Sequence, residues 1–243
     1  MRGQKDQASA ARPRRELRDP LQQHIRQSRL GAGLDLRGTG AQTVDVARRH
    51  SRGDEAAAHF TGRVVENRFG IVAGGKTALD IGASTGGFTD VLLSRGAGRV
   101  YAVDVGHGQL AWKLRQDPRV IVHERLNARH LTRADVPEPI DMITCDASFI
   151  GLATVLPAAL ALAAEEAELV ALVKPQFEAG REHVGKGGVV RDPAVHHEVC
   201  ERAAAWVAAQ PGWTVAGVVE SPVLGPQGNR EFLLYARREE ERR

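Results

Sequence analysis

The chain of 243 residues contains no apolar run long enough to span a membrane, and its arginine-rich start lacks the apolar core of a signal peptide. A helical membrane protein is therefore excluded, and the expected compartment is the cytoplasm. Cysteine is nearly absent: Cys145 and Cys200 are the only two. Neither stands at ligand spacing from a histidine or a second cysteine, so no zinc site is expected. Their scarcity also suits a reducing compartment. No internal repeat is present. The length suffices for one α/β domain with a sizeable core and a small extension.

Charge is unevenly spread. Residues 1–70 hold 14 Lys and Arg against 8 Asp and Glu, and the remaining residues hold 19 against 22. Basicity is thus a feature of the N-terminal region. Such an arm could attract nucleic acid, or be a tail without a partner. Residues 1–50 are poor in aromatics and glycine-punctuated, and read as a basic, disordered or degenerate arm. Ala56 to Phe69 reads as a helix, with Ala57, Phe60, Val64, Val65 and Phe69 near one face.

The informative stretch runs from Thr77 to Thr89. A short apolar strand ends in Asp80. A small-residue turn with Gly82, Ser84, Thr85, Gly86 and Gly87 follows, and a helix opens at Phe88. Glycines let backbone pass close to a ligand, and a helix start offers free N–H groups. The spacing Asp-x-Gly-x-x-x-Gly-Gly differs from the dinucleotide fingerprint, and no Gly-Lys-Ser/Thr closes this turn as in a phosphate loop. A carboxylate leading into the turn suits a ligand with a positive or hydroxylated end, and S-adenosylmethionine fits that description. A plain strand-to-helix turn without a ligand would look similar. The second strand, Val100–Val103, leads to Asp104, 24 residues after Asp80. An acid at that spacing commonly accepts hydrogen bonds from ribose hydroxyls.

Further strands are expected at Val120–His123, Ile140–Cys145 and Leu169–Val173, with helices at Gln109–Arg115, Leu152–Ala164 and Pro193–Gln210. A late hairpin takes in Trp213–Ser221 and Glu231–Ala236. This order predicts a Rossmann-like α/β fold: a mostly parallel central sheet with helices on both faces. Ligands bind outside the carboxyl ends of such strands. Asp80, Asp104, Asp146 and Lys174 all stand there. Asn127, after the third strand, suits either a cofactor contact or a turn.

A ribose hydroxyl is a poor nucleophile until its proton leaves, and a buried lysine can take it. Lys174, after the apolar run Leu169–Val173, suits that role. Asp146 could orient it and favour a sulfonium donor. Glu231 could complete the cluster, or be an edge-strand carboxylate facing water.

Seven segments in order resemble the TlyA/hemolysin A family, itself similar to FtsJ-type ribose methyltransferases. They are 78–90, 101–106, 109–114, Cys145-Asp-Ala-Ser-Phe-Ile150, Leu172-Val-Lys-Pro-Gln-Phe-Glu178, 184–191 and Gly228-Asn-Arg-Glu-Phe232. The resemblance implies a methyltransferase domain over 51–243, S-adenosylmethionine as donor, and 2′-O-methylation of cytidine in ribosomal RNA or ribosomal subunits. It also implies that Asp146, Lys174 and Glu231 are three members of a Lys-Asp-Lys-Glu tetrad. Two departures stand out. Residues 1–50 do not look like the family's RNA-binding S4 domain. Ser51-Arg-Gly-Asp-Glu-Ala-Ala57 aligns with a family stretch in which Ala56 would be the first tetrad lysine. Arg52 is a poor substitute, because its guanidinium stays charged. Other readings are an impaired enzyme, a methyltransferase retargeted to a small molecule, and a non-catalytic donor- or RNA-binding remnant. The hemolysin name suggests membrane lysis, for which the sequence offers no transmembrane segment or strongly amphipathic helix.

Overall fold

The structure is a computed structural model and describes residues 72–239. The expectations for the arm at 1–50, the helix at 56–69 and Ala56 fall outside the described residues. Seven strands form one sheet: β1 Thr77–Ile81, β2 Arg99–Asp104, β3 Val120–Glu124, β4 Ile140–Cys145, β5 Ala163–Val173, β6 Trp213–Glu220 and β7 Phe232–Arg238. Their spatial order is β3-β2-β1-β4-β5-β7-β6. The first five are parallel, and β7 runs antiparallel between β5 and β6. The helices are α1 Gly87–Ser94, α2 Trp112–Arg115, α3 Leu152–Ala161, α4 Pro175–Glu178 and α5 Pro193–Ala208.

The central strands are apolar on both faces, as a covered parallel sheet requires. On one face Leu79, Ile143, Leu169 and Leu234 pack with Leu156 of α3 and Val199 and Val207 of α5. On the other, Ala78, Val100, Met142 and Leu233 share a core with Phe88 and Leu92 of α1 and Leu114 of α2. Helix α5 starts where the sequence says it should. Pro193 occupies its first turn, and the Asp192 side chain accepts from Ala194 N at 2.8 Å.

The largest boundary differences from the sequence expectation fall in two places. The helix expected to run to Ala164 ends at Ala161, and β5 begins at Ala163. Alanine and glutamate favour helices, but Ala163 pairs with Ile140 of β4, and Arg238 donates to the carbonyls of Ala163 and Ala164 at 3.0 and 3.2 Å. Tertiary pairing outweighs the weak local preference. The helix expected from Gln109 starts at Trp112, because the two residues before it are used elsewhere. Leu110 is buried under the glycine turn, and Ala111 N donates to Thr85 O at 3.0 Å.

Beneath that turn lies Asp80, with no exposed surface. Its Oδ2 accepts from Thr89 of α1 at 2.6 Å, and its Oδ1 accepts from Thr144 of β4 at 2.9 Å. One carboxyl thereby joins β1, α1 and β4. Burial pushes this group up to about 6 from its ordinary 3.8; the two threonine bonds oppose that rise, and the nearby Asp146 charge adds to it.

The folded chain therefore holds this proton at pH values where the unfolded chain has lost it. Stability contributed by the protonated group is present below the unfolded value and is lost as pH rises through the folded one. Thermal unfolding of wild type and Asp80→Asn should show this. Between pH 5 and 7.5 the wild type should lose about 1 kcal/mol relative to the variant. A difference that stays constant with pH would exclude Asp80 as a buried titrating group.

Candidate active site

The glycine turn is pinned from two sides. Gly82 N and Ala83 N donate to Val103 O of β2 at 2.9 and 3.2 Å. Gly82 has φ +79°, and a Cβ there would lie 2.7 Å from Asp146 O, so only glycine lets the turn touch the end of β4. Gly86 is also left-handed, and a Cβ there would lie 2.1 Å from Leu114 Cδ1. Asp104 closes the β2 side: its Oδ2 accepts from Ser84 N at 2.9 Å and its Oδ1 from Gly106 N at 2.6 Å. Ser84 and Thr85 are exposed at the tip of the turn, and Gly87 opens α1.

The structure separates the expected donor-site residues into two groups. Gly82, Ser84, Thr85, Asp104 and Asp146 stand together at the carboxyl ends of β1, β2 and β4, linked by the Ser84–Asp104 bond and the close approach of Gly82 to Asp146. Asp80 and Phe88 point into the interior: Asp80 is engaged by two threonines, and Phe88 packs with the core on the α1 face. Asn127 is exposed, and its Oδ1 accepts from Arg129 N at 3.1 Å, capping a 3-10 turn at Ala128–His130. Its turn-forming reading from the sequence is the one the geometry displays.

A second polar cluster is built at the ends of β4, β5 and β7. Lys174 and Glu231 are each only 7% exposed. Lys174 Nζ lies 2.5 Å from Asp146 Oδ1 and donates to Ser148 Oγ at 3.1 Å. Because β7 is antiparallel to β5 and Val173 pairs with Phe232, the next residues outward, Lys174 and Glu231, come to the same edge. Glu231 is not water-facing. Gln176 Nε2 donates to its Oε1 at 3.0 Å, and Gly225 packs so closely that a Cβ there would clash with the carboxylate. Burial pushes the Glu231 carboxyl up, partly opposed by the Lys174 charge and the Gln176 bond.

Asn229 ties the flanking loops together. Its Oδ1 accepts from Val190 N at 3.1 Å, and its Nδ2 donates to Gly188 O and Pro226 O at 3.0 and 3.1 Å. Sequence reasoning missed the roles of Thr89, Thr144, Ser148 and Gln176. Ser148 alone had a local signal, two residues beyond Asp146. Phe149 was also missed. It is 89% exposed at φ +65°, with its ring centroid 4.9 Å from that of Phe177.

One sequence pattern proves empty. Gly70 to Thr77 has the spacing Gly-x-x-x-x-Gly-Lys-Thr of a phosphate loop. Such a loop opens a helix, whereas Lys76 here leads into β1 and pairs with Glu168 of β5.

Comparison with known proteins shows the family. A family model described as FtsJ-like methyltransferase matches residues 64–238. Over 174 residues the chain is 52% identical to the 16S/23S rRNA (cytidine-2′-O)-methyltransferase TlyA of Mycobacterium tuberculosis, covering 72% of this chain and 65% of that protein. It therefore spans less than two thirds of that relative's length. It is 41% identical over 168 residues to Hemolysin A of Brachyspira hyodysenteriae, covering 69% of this chain and 70% of that one. A hemolysin-type protein of known crystal structure from Lactococcus lactis superposes with a TM-score of 0.71 at 44% identity, over 79% of this chain and 89% of the other. The chain belongs to the FtsJ-like methyltransferase family, in the group that contains TlyA and hemolysin A.

Proposed function

We propose that this chain is an S-adenosylmethionine-dependent enzyme that methylates ribose 2′-hydroxyls of ribosomal RNA, with cytidine as the nucleoside. The observation that carries the reading is the ion pair between the buried Lys174 and the half-buried Asp146 next to the glycine turn, with the buried Glu231 beside it. The residues present suit the donor. Each Asp104 oxygen uses one lone pair on a backbone N–H and keeps another for a ribose hydroxyl. Val105, exposed beside it, offers an apolar surface for a flat base. Asp146 supplies negative charge at the end of β4, where a sulfonium would sit.

When bound, S-adenosylmethionine supplies an electrophilic methyl group. What remains for the protein is to hold the acceptor and remove its proton. Asp146 and Ser148 fix the position of Lys174 Nζ, the group assigned to take up the hydroxyl proton. Glu231, held by Gln176, closes the far side of the cluster. Phe149 presents a bare ring at the mouth, and unpaired RNA bases stack on such rings. Exposed Arg125 and Arg129 after β3, and Arg181 and Lys186 after α4, offer cations to phosphates. Among the described residues no helix is long and apolar enough to cross a membrane. A ribosomal acceptor implies work in the cytoplasm, and residues 51–71 would belong to the same methyltransferase domain.

Transfer of labelled methyl to ribosomal subunits, with small hydroxylated molecules in parallel, tests the reading. Methylation of a small molecule with RNA left untouched would replace it with a retargeted enzyme. Asp104→Ala should weaken donor binding by roughly 1–3 kcal/mol, because ribose and two backbone N–H groups lose their acceptor; calorimetry reporting unchanged affinity would remove Asp104 from the site. Lys174→Ala should leave donor affinity near the wild-type value and slow transfer by at least about 100-fold. A mutant transferring at the wild-type rate would refute its role.

A further inference from the structure

Lys174 and Asp146 meet because two loops run side by side. One leaves β4 through Asp146, Ser148 and Phe149 and ends at Gly151, where α3 begins. The other leaves β5 at Lys174 and continues as α4 to Glu178. Contacts between them come in sequence: Lys174 with Asp146 and Ser148, then Phe177 with Phe149, then Glu178 with the start of α3. At this last contact Glu178 Oε1 accepts from Leu152 N at 2.6 Å.

That bond fills a local deficit. The first N–H groups of a helix need acceptors from outside, commonly the side chain at the N-cap. The N-cap of α3 is Gly151, which has no side chain to offer. A Cβ at Gly151 would come within 3.1 Å of Glu178 Oε2, so glycine also leaves room for the visiting carboxylate. Glu178 is itself steadied from α5, where Arg202 Nη2 donates to its carbonyl at 2.6 Å.

We propose that Glu178 is a positioning residue for the methyl transfer proposed above. By capping α3 from the neighbouring loop, it keeps the Asp146 loop where Asp146 and Ser148 can grip Lys174 Nζ. The inference rests on that reading of Lys174, but its mechanical content is separate. A bond between loops holds a spacing; a cap made within one loop would stabilise α3 without holding it.

Full-length Glu178→Ala, Glu178→Gln and the double variant Gly151→Asp/Glu178→Ala separate the two roles. The double variant supplies the cap from within α3's own loop, at a backbone conformation of φ −80° and ψ 152° that suits an N-cap aspartate. Four quantities are measured: thermal stability, donor affinity, single-turnover methyl transfer to ribosomal subunits, and the rate at which an amine-acylating reagent labels Lys174, read by mass spectrometry. Glu178→Ala should slow transfer by about 10- to 100-fold, the usual cost of a small misplacement, with donor affinity near wild type. Lys174 should label several-fold faster. Glu178→Gln keeps an acceptor oxygen and should recover most of the transfer rate. The double variant should regain stability yet keep the slow transfer and fast labelling. If it regains normal labelling and transfer as well, Glu178 is only a helix cap and the proposal fails. Wild-type labelling in Glu178→Ala overturns it too. Should the wild type leave ribosomal RNA unmethylated, the functional reading falls, while the labelling rates still decide the role of Glu178.

Discussion

A carboxyl with no access to water is tolerable only if its oxygens find donors inside the protein. Asp80 finds them in Thr89 and Thr144, one on the helix after the glycine turn and one on the neighbouring strand. The turn cannot shift without breaking one of these bonds. Asp104 adds a second anchor from β2, and the contact of Gly82 with the Asp146 carbonyl adds a third from β4. The turn is therefore held from below and from both neighbouring strands. A tight turn that must receive a cofactor needs this restraint, because its own sequence is small and permissive.

The polar cluster around Lys174 has a different logic. Burying a lysine is costly unless an acid stands against it, and breaking a buried pair costs more than forming it gains. Asp146 meets that need from β4. Glu231 arrives from β7, a strand whose antiparallel course reverses the usual rule that only strand carboxyl ends face the site: its amino end does so here. Two long loops then enclose the cluster; Asn229 ties them together with two hydrogen bonds, to Val190 and Gly188, and a third braces its own loop at Pro226.

Much of this is legible in the sequence. Apolar runs bounded by glycine and ending in Asp80, Asp104, Asp146 and Lys174 indicate parallel strands with a ligand edge, because each residue type has a local reason to stand there. Other features carried no such signal. Asp80 and Phe88 sit within the ligand-binding pattern, yet both side chains turn inward, since alternate residues of a covered strand and one face of a short helix must serve the core. The run Ala163–Glu166 has helix-forming composition and becomes strand, because Ala163 pairs with Ile140, 23 residues earlier in the chain, and Arg238 binds the carbonyls of Ala163 and Ala164. Thr144 and Gln176 read as ordinary residues until a carboxylate from elsewhere comes to rest against them.

The sequence by itself determined the elements and their chemistry: which residues are apolar with which period, where glycine permits a left-handed turn, and which strand ends carry charge. These are local properties, set within a few residues by sterics and hydrophobicity. Only the tertiary structure decided the pairings that make a site. Lys174 meets Asp146 across 28 positions of sequence and Glu231 across 57, and which loops meet depends on strand order, not on any nearby residue. Insertion of β7 between β5 and β6 brought Glu231 out of the solvent and beside the lysine. That choice is made by long-range sheet pairing, whose information is spread over the whole chain.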